Sequence, residues 1–253
     1  MPLADVEVLT PASADEAIAA FGDGGGVTVI GGGTIVMPDL ASGRLRPDRA
    51  LLLARARLDG VARGNGKVTI GAAAQLSALE DGDEPLATAV RHCADPEIRG
   101  QATVGGNVCS VASADAPRGD LQAPLIALGA SVRSVGAGGE RTEPIEDFLA
   151  NGPLAGGIAR LVLEISYDEA KRKTGYAAST RPHTHHYTIL AVAAAERDGE
   201  LRVAATGLGP HAVQIDPENP LAGVDPPDDA VASGWYRAQV LPKLVERALA
   251  DLS

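Results

Sequence analysis

Apolar residues along this chain recur in short helical or strand-like runs separated by glycine-rich breaks, which predicts helices and strands in alternation. Ser13-Ala14-Asp15-Glu16 has the form of a capping box, a hydroxyl followed three residues later by a carboxylate. Ala17, Ile18, Ala20 and Phe21 continue as one apolar helical face, which Gly22-Asp23-Gly24-Gly25-Gly26 ends. The β-branched run Val27 to Ile30 suits a buried strand, and further strands are expected at Ala50 to Leu53 and Lys67 to Gly71. Helical spacing returns around Gln75 to Glu80 and Pro85 to Cys93, where Asp95-Pro96 breaks it. Ile98 to Asn107 is rich in small residues and has no clear period. A helix through Leu121, Pro124, Leu125 and Leu128 stops at Gly129. A strand over Ala130 to Val135, a short helix over Ile145 to Leu149 and a strand over Arg160 to Tyr167 follow.

The composition shifts near Asp168, where Glu169 to Lys173 reads as a charged linker or exposed turn. Tyr187 to Arg197 and Glu200 to Ala205 flank Asp198-Gly199, a hairpin signal because both turn positions favour positive φ. Pro210 to Pro227 is loop-like, and Asp228 to Leu252 has helical spacing, with Trp235 and Tyr236 expected to anchor that helix in the core. The order of elements predicts an α/β (α+β) fold in three parts. These are α/β segments over 1–55 and 56–167 and a small antiparallel sheet with helices over 168–253.

With 45% hydrophobic but only 3% aromatic residues, the interior must be built from Ala, Val, Leu and Ile. Lys and Arg number 22 against 33 Asp and Glu, a net charge of −11 that argues against a general nucleic-acid binder. Cys93 and Cys109 are too few for a disulfide framework or for the four thiolates of an iron–sulfur cluster. No apolar run approaches the ~20 residues of a membrane span, and Met1 to Asp5 lacks a basic signal-peptide start. A soluble, cytoplasmic protein is the expectation.

The best-defined chemical feature is Ile30-Gly31-Gly32-Gly33-Thr34-Ile35. Glycines let a backbone approach a phosphate closely, and their amides can form an anion-binding nest. No Gly-Lys-Ser/Thr follows, so the loop is not a Walker A motif, and Val36 takes the third glycine position of a dinucleotide fingerprint. Alone, it reads more readily as a plain, flexible strand-to-helix turn. A second loop, Thr103-Val104-Gly105-Gly106-Asn107, allows the two to clamp a diphosphate from opposite sides. Asp115 and Asp120 can accept from sugar or ribityl hydroxyls, although Asp120 reads equally as a helix cap.

In this order, the two loops and the Gly119-Asp120-…-Leu128-Gly129-Ala130 segment resemble the medium, FAD-binding chain of the molybdenum hydroxylases. That family includes xanthine dehydrogenase and aerobic carbon monoxide dehydrogenase. Ala-Thr-Val-Gly-Gly-Asn at 102–107 is the most specific string, and Ala232 to Arg237 agrees with the family's closing helix. The resemblance implies that Gly31, Gly32, Gly33 and Thr34, with Thr103, Gly105, Gly106 and Asn107, hold the FAD pyrophosphate between the first two segments. It further implies that Asp120 binds FAD hydroxyls and that a strand residue near Leu161 lies close to the cofactor. Ile30, Ile35 and Val104 belong to the same two loops. The implied role is electron transfer from the [2Fe–2S] clusters of a small chain, itself fed by a large chain with the molybdenum cofactor. The final acceptor would be NAD, a quinone or oxygen. Two departures stand out: Ile35 replaces a common acidic residue, and Tyr176 to Arg181 lacks an expected lysine.

Two rivals stay open on the residues alone: a cofactor-free assembly subunit of such a complex, and a stand-alone nicotinamide-dependent oxidoreductase. His183-Thr184-His185-His186 lacks a completing ligand, and its adjacent histidines would face opposite sides of a strand, so a solvated or partner-facing loop is expected. Cys93 and Cys109 read as inert thiols.

Overall fold

Three β-sheets succeed one another in the computed structural model, which describes residues 6–111, 119–151, 159–181 and 188–252. The first sheet is parallel. It is built from β1 (Glu7–Leu9), α1 (Ala14–Phe21), β2 (Val27–Ile30), α2 (Val36–Ala41) and β3 (Arg49–Leu52), with strand order β1-β3-β2. The capping box forms as its spacing predicts. Ser13 Oγ accepts the Glu16 amide at 3.2 Å, and the Glu16 carboxylate accepts the Ala12 amide at 2.8 Å. β1 and α2 are too short to leave a periodic signal in the sequence.

The second sheet is antiparallel. Its chain order is β4 (Val61–Gly64), β5 (Lys67–Gly71), α3 (Leu86–His92), α4 (Pro96–Arg99), α5 (Val104–Val108), α6 (Gln122–Ala127), β6 (Ser131–Gly136), β7 (Gly139–Pro144), α7 (Ile145–Asn151) and β8 (Arg160–Asp168). The strands lie in the order β4-β5-β8-β6-β7. β4 and β7 are edge strands with mostly exposed side chains, so apolar patterning gave no sign of them. The aperiodic stretch Ile98 to Asn107 proves to hold the end of α4 and most of α5, helices of four and five residues. Each is started by a side-chain cap: Asp95 accepts the Ile98 amide at 2.8 Å and Thr103 accepts the Gly106 amide at 3.2 Å.

The third sheet comprises β9 (Lys173–Thr180), β10 (Thr188–Arg197), β11 (Glu200–Thr206) and β12 (Val213–Gln214), ordered β12-β11-β10-β9, with α8 (Gly234–Ala250) behind it. Asp198 and Gly199 take φ of +53° and +84° in the predicted hairpin turn. The charged stretch after β8 is a tight connection into β9, a strand not expected from sequence. Arg172 pins this connection by donating to the Leu128 and Asp168 carbonyls. The closing helix starts at Gly234 instead of Asp228, because Asp228 and Asp229 are consumed as acceptors for backbone amides ahead of it.

Packing joins the sheets into one body. Phe21 of α1 and Leu51 of β3 meet Leu161 and Leu163 of β8, so the first sheet rests on the second. Every residue of α6 is buried, and it is wedged between the second sheet and the Ala193 and Ala204 face of the third. The opposite face of the third sheet packs on Leu241, Leu244, Val245 and Ala248 of α8, at the i, i+3, i+4, i+7 spacing of one helical stripe. Leu241, Leu244 and Val245 each contribute about 1.5–3 kcal/mol on full burial. Trp235 corrects the sequence expectation: it lies outside that stripe and is 72% exposed. Tyr236, half-buried against the same core, does anchor the helix as expected, with its hydroxyl 2.9 Å from Ser179 Oγ. Among the described residues, no helix is long and apolar enough to cross a membrane.

Candidate functional site

The two glycine turns touch. A Cβ on Gly31 would lie 2.3 Å from Thr103 Oγ1, and one on Gly32 would lie 1.9 Å from the Gln101 carbonyl oxygen. No other residue type permits this approach. Gly33 adopts φ +74°, which carries the chain from β2 into α2. The crevice where the turns meet is a cavity of about 500 Å³, within the usual range for small-molecule sites. Gly31 to Val36 line one side, and Thr103, Gly106 and Asn107 line another. Asp120, Cys93, Cys109, Thr188 and Val231 complete its polar and C-terminal walls.

The turns play different parts. In the first, the backbone amides of Gly32, Gly33, Thr34 and Ile35 donate to no acceptor among the described residues, which leaves four donors beside the cavity. In the second, the amides of Val104 and Gly105 are taken by the carbonyls of Ala74 and Ala72, and that of Asn107 by Thr103. Gly106 gives its amide to Thr103 Oγ1. The second turn is thus a small helix stapled to the end of β5, and it buttresses the first. A phosphate diester needs donors that are neither bonded elsewhere nor shielded by a Cβ; the first turn supplies that set. Its donors are neutral dipoles, and the described lining residues include Asp95 and Asp120 but no Lys or Arg.

Nine of the thirteen residues singled out from the sequence line this cavity: Gly31, Gly32, Gly33, Thr34, Ile35, Thr103, Gly106, Asn107 and Asp120. Four do not. Ile30 is the one buried residue of the half-buried strand β2, Val104 is fully enclosed in the core, and Leu161 sits between the first and second sheets at 1% exposure. Gly105 is required for packing, since a Cβ there would lie 2.9 Å from both Ala72 Cβ and the Ala72 carbonyl. Alternation along a strand shows that Leu161 is buried but not against what, and a helix of five residues has no period to show which glycine faces outward.

Asp120 is not the cap of α6. The helix begins at Gln122 with Leu121 as its cap residue and no side-chain cap bond, while the Leu121 amide donates to Asn107 Oδ1 at 2.9 Å. Asp120 lies buried at the cavity wall, where its carboxylate accepts the Cys93 thiol at 3.3 Å. Burial and then the Asp120 charge push the Cys93 thiol well above its ordinary range, and burial lifts Cys109 to about 12. Both cysteines are free and held as thiols, not thiolates. Burial, with the nearby Asp120 charge, also raises the Tyr176 phenol well above its usual value.

Gln122 was not anticipated. Fully buried, it donates to the Val108 and Ser110 carbonyls at 2.8 and 3.1 Å and accepts the Ala212 amide at 2.9 Å. This side chain ties the exit of the second turn to the third sheet. Thr188 was also missed, because it is only the leading β-branched residue of an apolar strand in the sequence. Asp115 and the His183 to His186 cluster lie outside the described residues. Among the described residues, no group of histidine, cysteine and carboxylate side chains is placed to hold a metal ion.

Known proteins with this arrangement carry descriptions that bear on it. The family model "FAD binding domain in molybdopterin dehydrogenase" matches residues 4–165. Over 94% of its length the chain is 27% identical to the 6-hydroxypseudooxynicotine dehydrogenase complex subunit alpha of Paenarthrobacter nicotinovorans, covering 91% of that protein. It is 26% identical to the carbon monoxide dehydrogenase medium chain of Hydrogenophaga pseudoflava, covering 96% of this chain and 95% of that one. In structure, a chain of the H. pseudoflava carbon monoxide dehydrogenase lacking the Mo-pyranopterin moiety superposes with a TM-score of 0.84 at 22% identity. That match covers 98% of this chain and 96% of the other.

Proposed function

The chain belongs to the family of FAD-binding domains of molybdopterin dehydrogenases, and from that premise we propose that it is the flavin-carrying, electron-transferring medium subunit of a molybdenum hydroxylase complex. One observation carries the reading. A turn with four backbone amides uncommitted among the described residues faces a cavity of about 500 Å³ and is braced by a second glycine turn.

In this reading the amides of Gly32 to Ile35 hold the diphosphate, Gly31 lets the second turn close up against the first, and Gly106 keeps the cavity wall clear. Thr103 orders the second turn, and Asp120 accepts from hydroxyls of the ligand. Ile35, Val36, Leu76, Ile98 and Val231 supply an apolar wall that excludes water from around the bound group. Bound FAD supplies the exchange between one-electron and two-electron carriers, while the protein sets its position and electrostatic surroundings. An acidic wall lacking a lysine or arginine among its described residues opposes extra negative charge on the ligand, which favours onward transfer of electrons over their storage.

Two cysteines cannot supply the four thiolates of a [2Fe–2S] cluster, so in this reading the clusters and the molybdenum cofactor belong to partner chains. Both curated relatives are named as one part of a multi-chain dehydrogenase, consistent with an iron–sulfur small chain and a molybdenum large chain here. NAD, a quinone or oxygen is the final acceptor. The test is a titration of the full chain with FAD, followed by flavin, iron and molybdenum analysis of the co-purified complex. One FAD per chain, with metals confined to partners, is expected. A colourless complex that takes up no FAD would leave a pure assembly subunit.

A further inference from the structure

We infer that Thr188, which lies beyond the matched FAD-binding domain, is a direct hydrogen-bonding contact for the bound FAD; the inference rests on the flavin reading of the cavity. Thr188 opens β10, the central strand of the third sheet, and is 5% exposed. Its Oγ1 is buried and has no hydrogen-bond partner among the described residues, and the residue lines the same cavity as the glycine turns. Most buried hydroxyls are satisfied within the protein. One left over at a cavity wall is a donor and acceptor waiting for something in that cavity.

Packing does not account for this hydroxyl. From Thr188 to Ala195 the strand is buried throughout, and every other residue in the run is Ile, Leu, Ala or Val. Valine has the same branched shape and the same preference for strands, without the cost of an unpaired oxygen. Threonine at this position therefore loses stability in the empty protein and recovers it only when a ligand atom meets the oxygen. FAD offers acceptors along its diphosphate and both donors and acceptors on its ribityl chain and ring edge, all suited to a hydroxyl. The contact would make the third sheet part of the binding site rather than a neighbour to it.

Thr188→Val in the full chain tests this, because binding and stability should move in opposite directions. Without FAD, the variant should melt at the same temperature as the parent or higher. Its FAD dissociation constant should rise about tenfold, as for one lost hydrogen bond. Thr188→Ser, which keeps the oxygen, should restore most of the affinity. Unchanged FAD affinity in Thr188→Val, while the parent binds FAD, overturns the contact and leaves the flavin reading standing. Failure of the parent itself to bind FAD removes both.

Discussion

Gly32 and Gly106 separate two uses of glycine that look alike in the sequence. Any Cβ at Gly32 collides with the Gln101 carbonyl, a backbone atom that cannot swing away. Gly32→Ala should therefore part the two turns, destabilise the protein by about 1–3 kcal/mol and lose FAD together with stability. At Gly106 an added Cβ meets only Thr103 Oγ1, at 3.0 Å. Gly106→Ala should keep the melting temperature close to the parent's while weakening FAD, and thermal melts paired with flavin titrations distinguish the two behaviours. Asp120→Ala should weaken FAD binding by about 1.5–3 kcal/mol if the carboxylate accepts charge-assisted bonds from the ligand. The start of α6 should survive this change, because the Leu121 amide is held by Asn107 and not by Asp120. An affinity equal to the parent's, measured by calorimetry, would remove Asp120 from the site.

The helices and strands around the cavity are held by a few buried or bridging charges. Arg237 of α8 is fully buried, bonds both oxygens of Asp229 at 2.9 and 3.0 Å, and donates to the Ala232 carbonyl at 2.9 Å. This clamp folds the segment before α8 so that Val231 reaches the cavity wall. Arg237→Ala leaves Asp229 without its buried guanidinium partner and should cost about 3–5 kcal/mol in urea unfolding. On the far edge, Arg63 of β4 pairs with Asp83 and Glu169, while the Tyr167 hydroxyl of β8 donates to Asp83 at 2.9 Å. Burial works against the ionised Asp83, but bonds from Arg63 and Tyr167 outweigh it and hold its carboxyl below the ordinary range. A lowered folded value means that the contribution is present above the unfolded carboxylate's pKa of about 3.9 and is lost as pH falls through the folded value. Asp83→Asn should flatten the fall of stability below about pH 4; an unaltered acid limb in unfolding curves would count against the network.

The cavity joins all three sheets: the first through Gly31 to Val36, the second through the helices beside it, and the third through Thr188 and Val231. A ligand bound there adds a further link between parts of the molecule already joined by packing and by side chains such as Gln122. FAD at about a hundred times its dissociation constant should stabilise the fold by about 2.7 kcal/mol. For a chain of this length, that corresponds to roughly 5–10 °C in melting temperature. The shift should appear in one cooperative transition. Two transitions, with FAD moving only the first, would mean that the third sheet stands apart from the site.

Signals that depend on near neighbours in the chain were legible in the sequence. The Ser13 cap, the turn at Asp198-Gly199, the strand β2, the buried run of β10 and both glycine turns each follow from local backbone preferences. The exposed edges β4 and β7 and the helices α4 and α5 were not legible, since a solvent-facing strand or a single turn of helix leaves no apolar period. Which glycine faces the cavity and which serves packing was decided only in three dimensions. Gly105 turns toward Ala72 and Gly106 toward the cavity, although they are adjacent in the chain. The same holds for Leu161, Trp235 and Thr188. A residue's type sets what its side chain can do, but the atoms opposite it come from distant segments, and these determine whether a hydroxyl is satisfied, a ring is covered or an amide is left for a ligand.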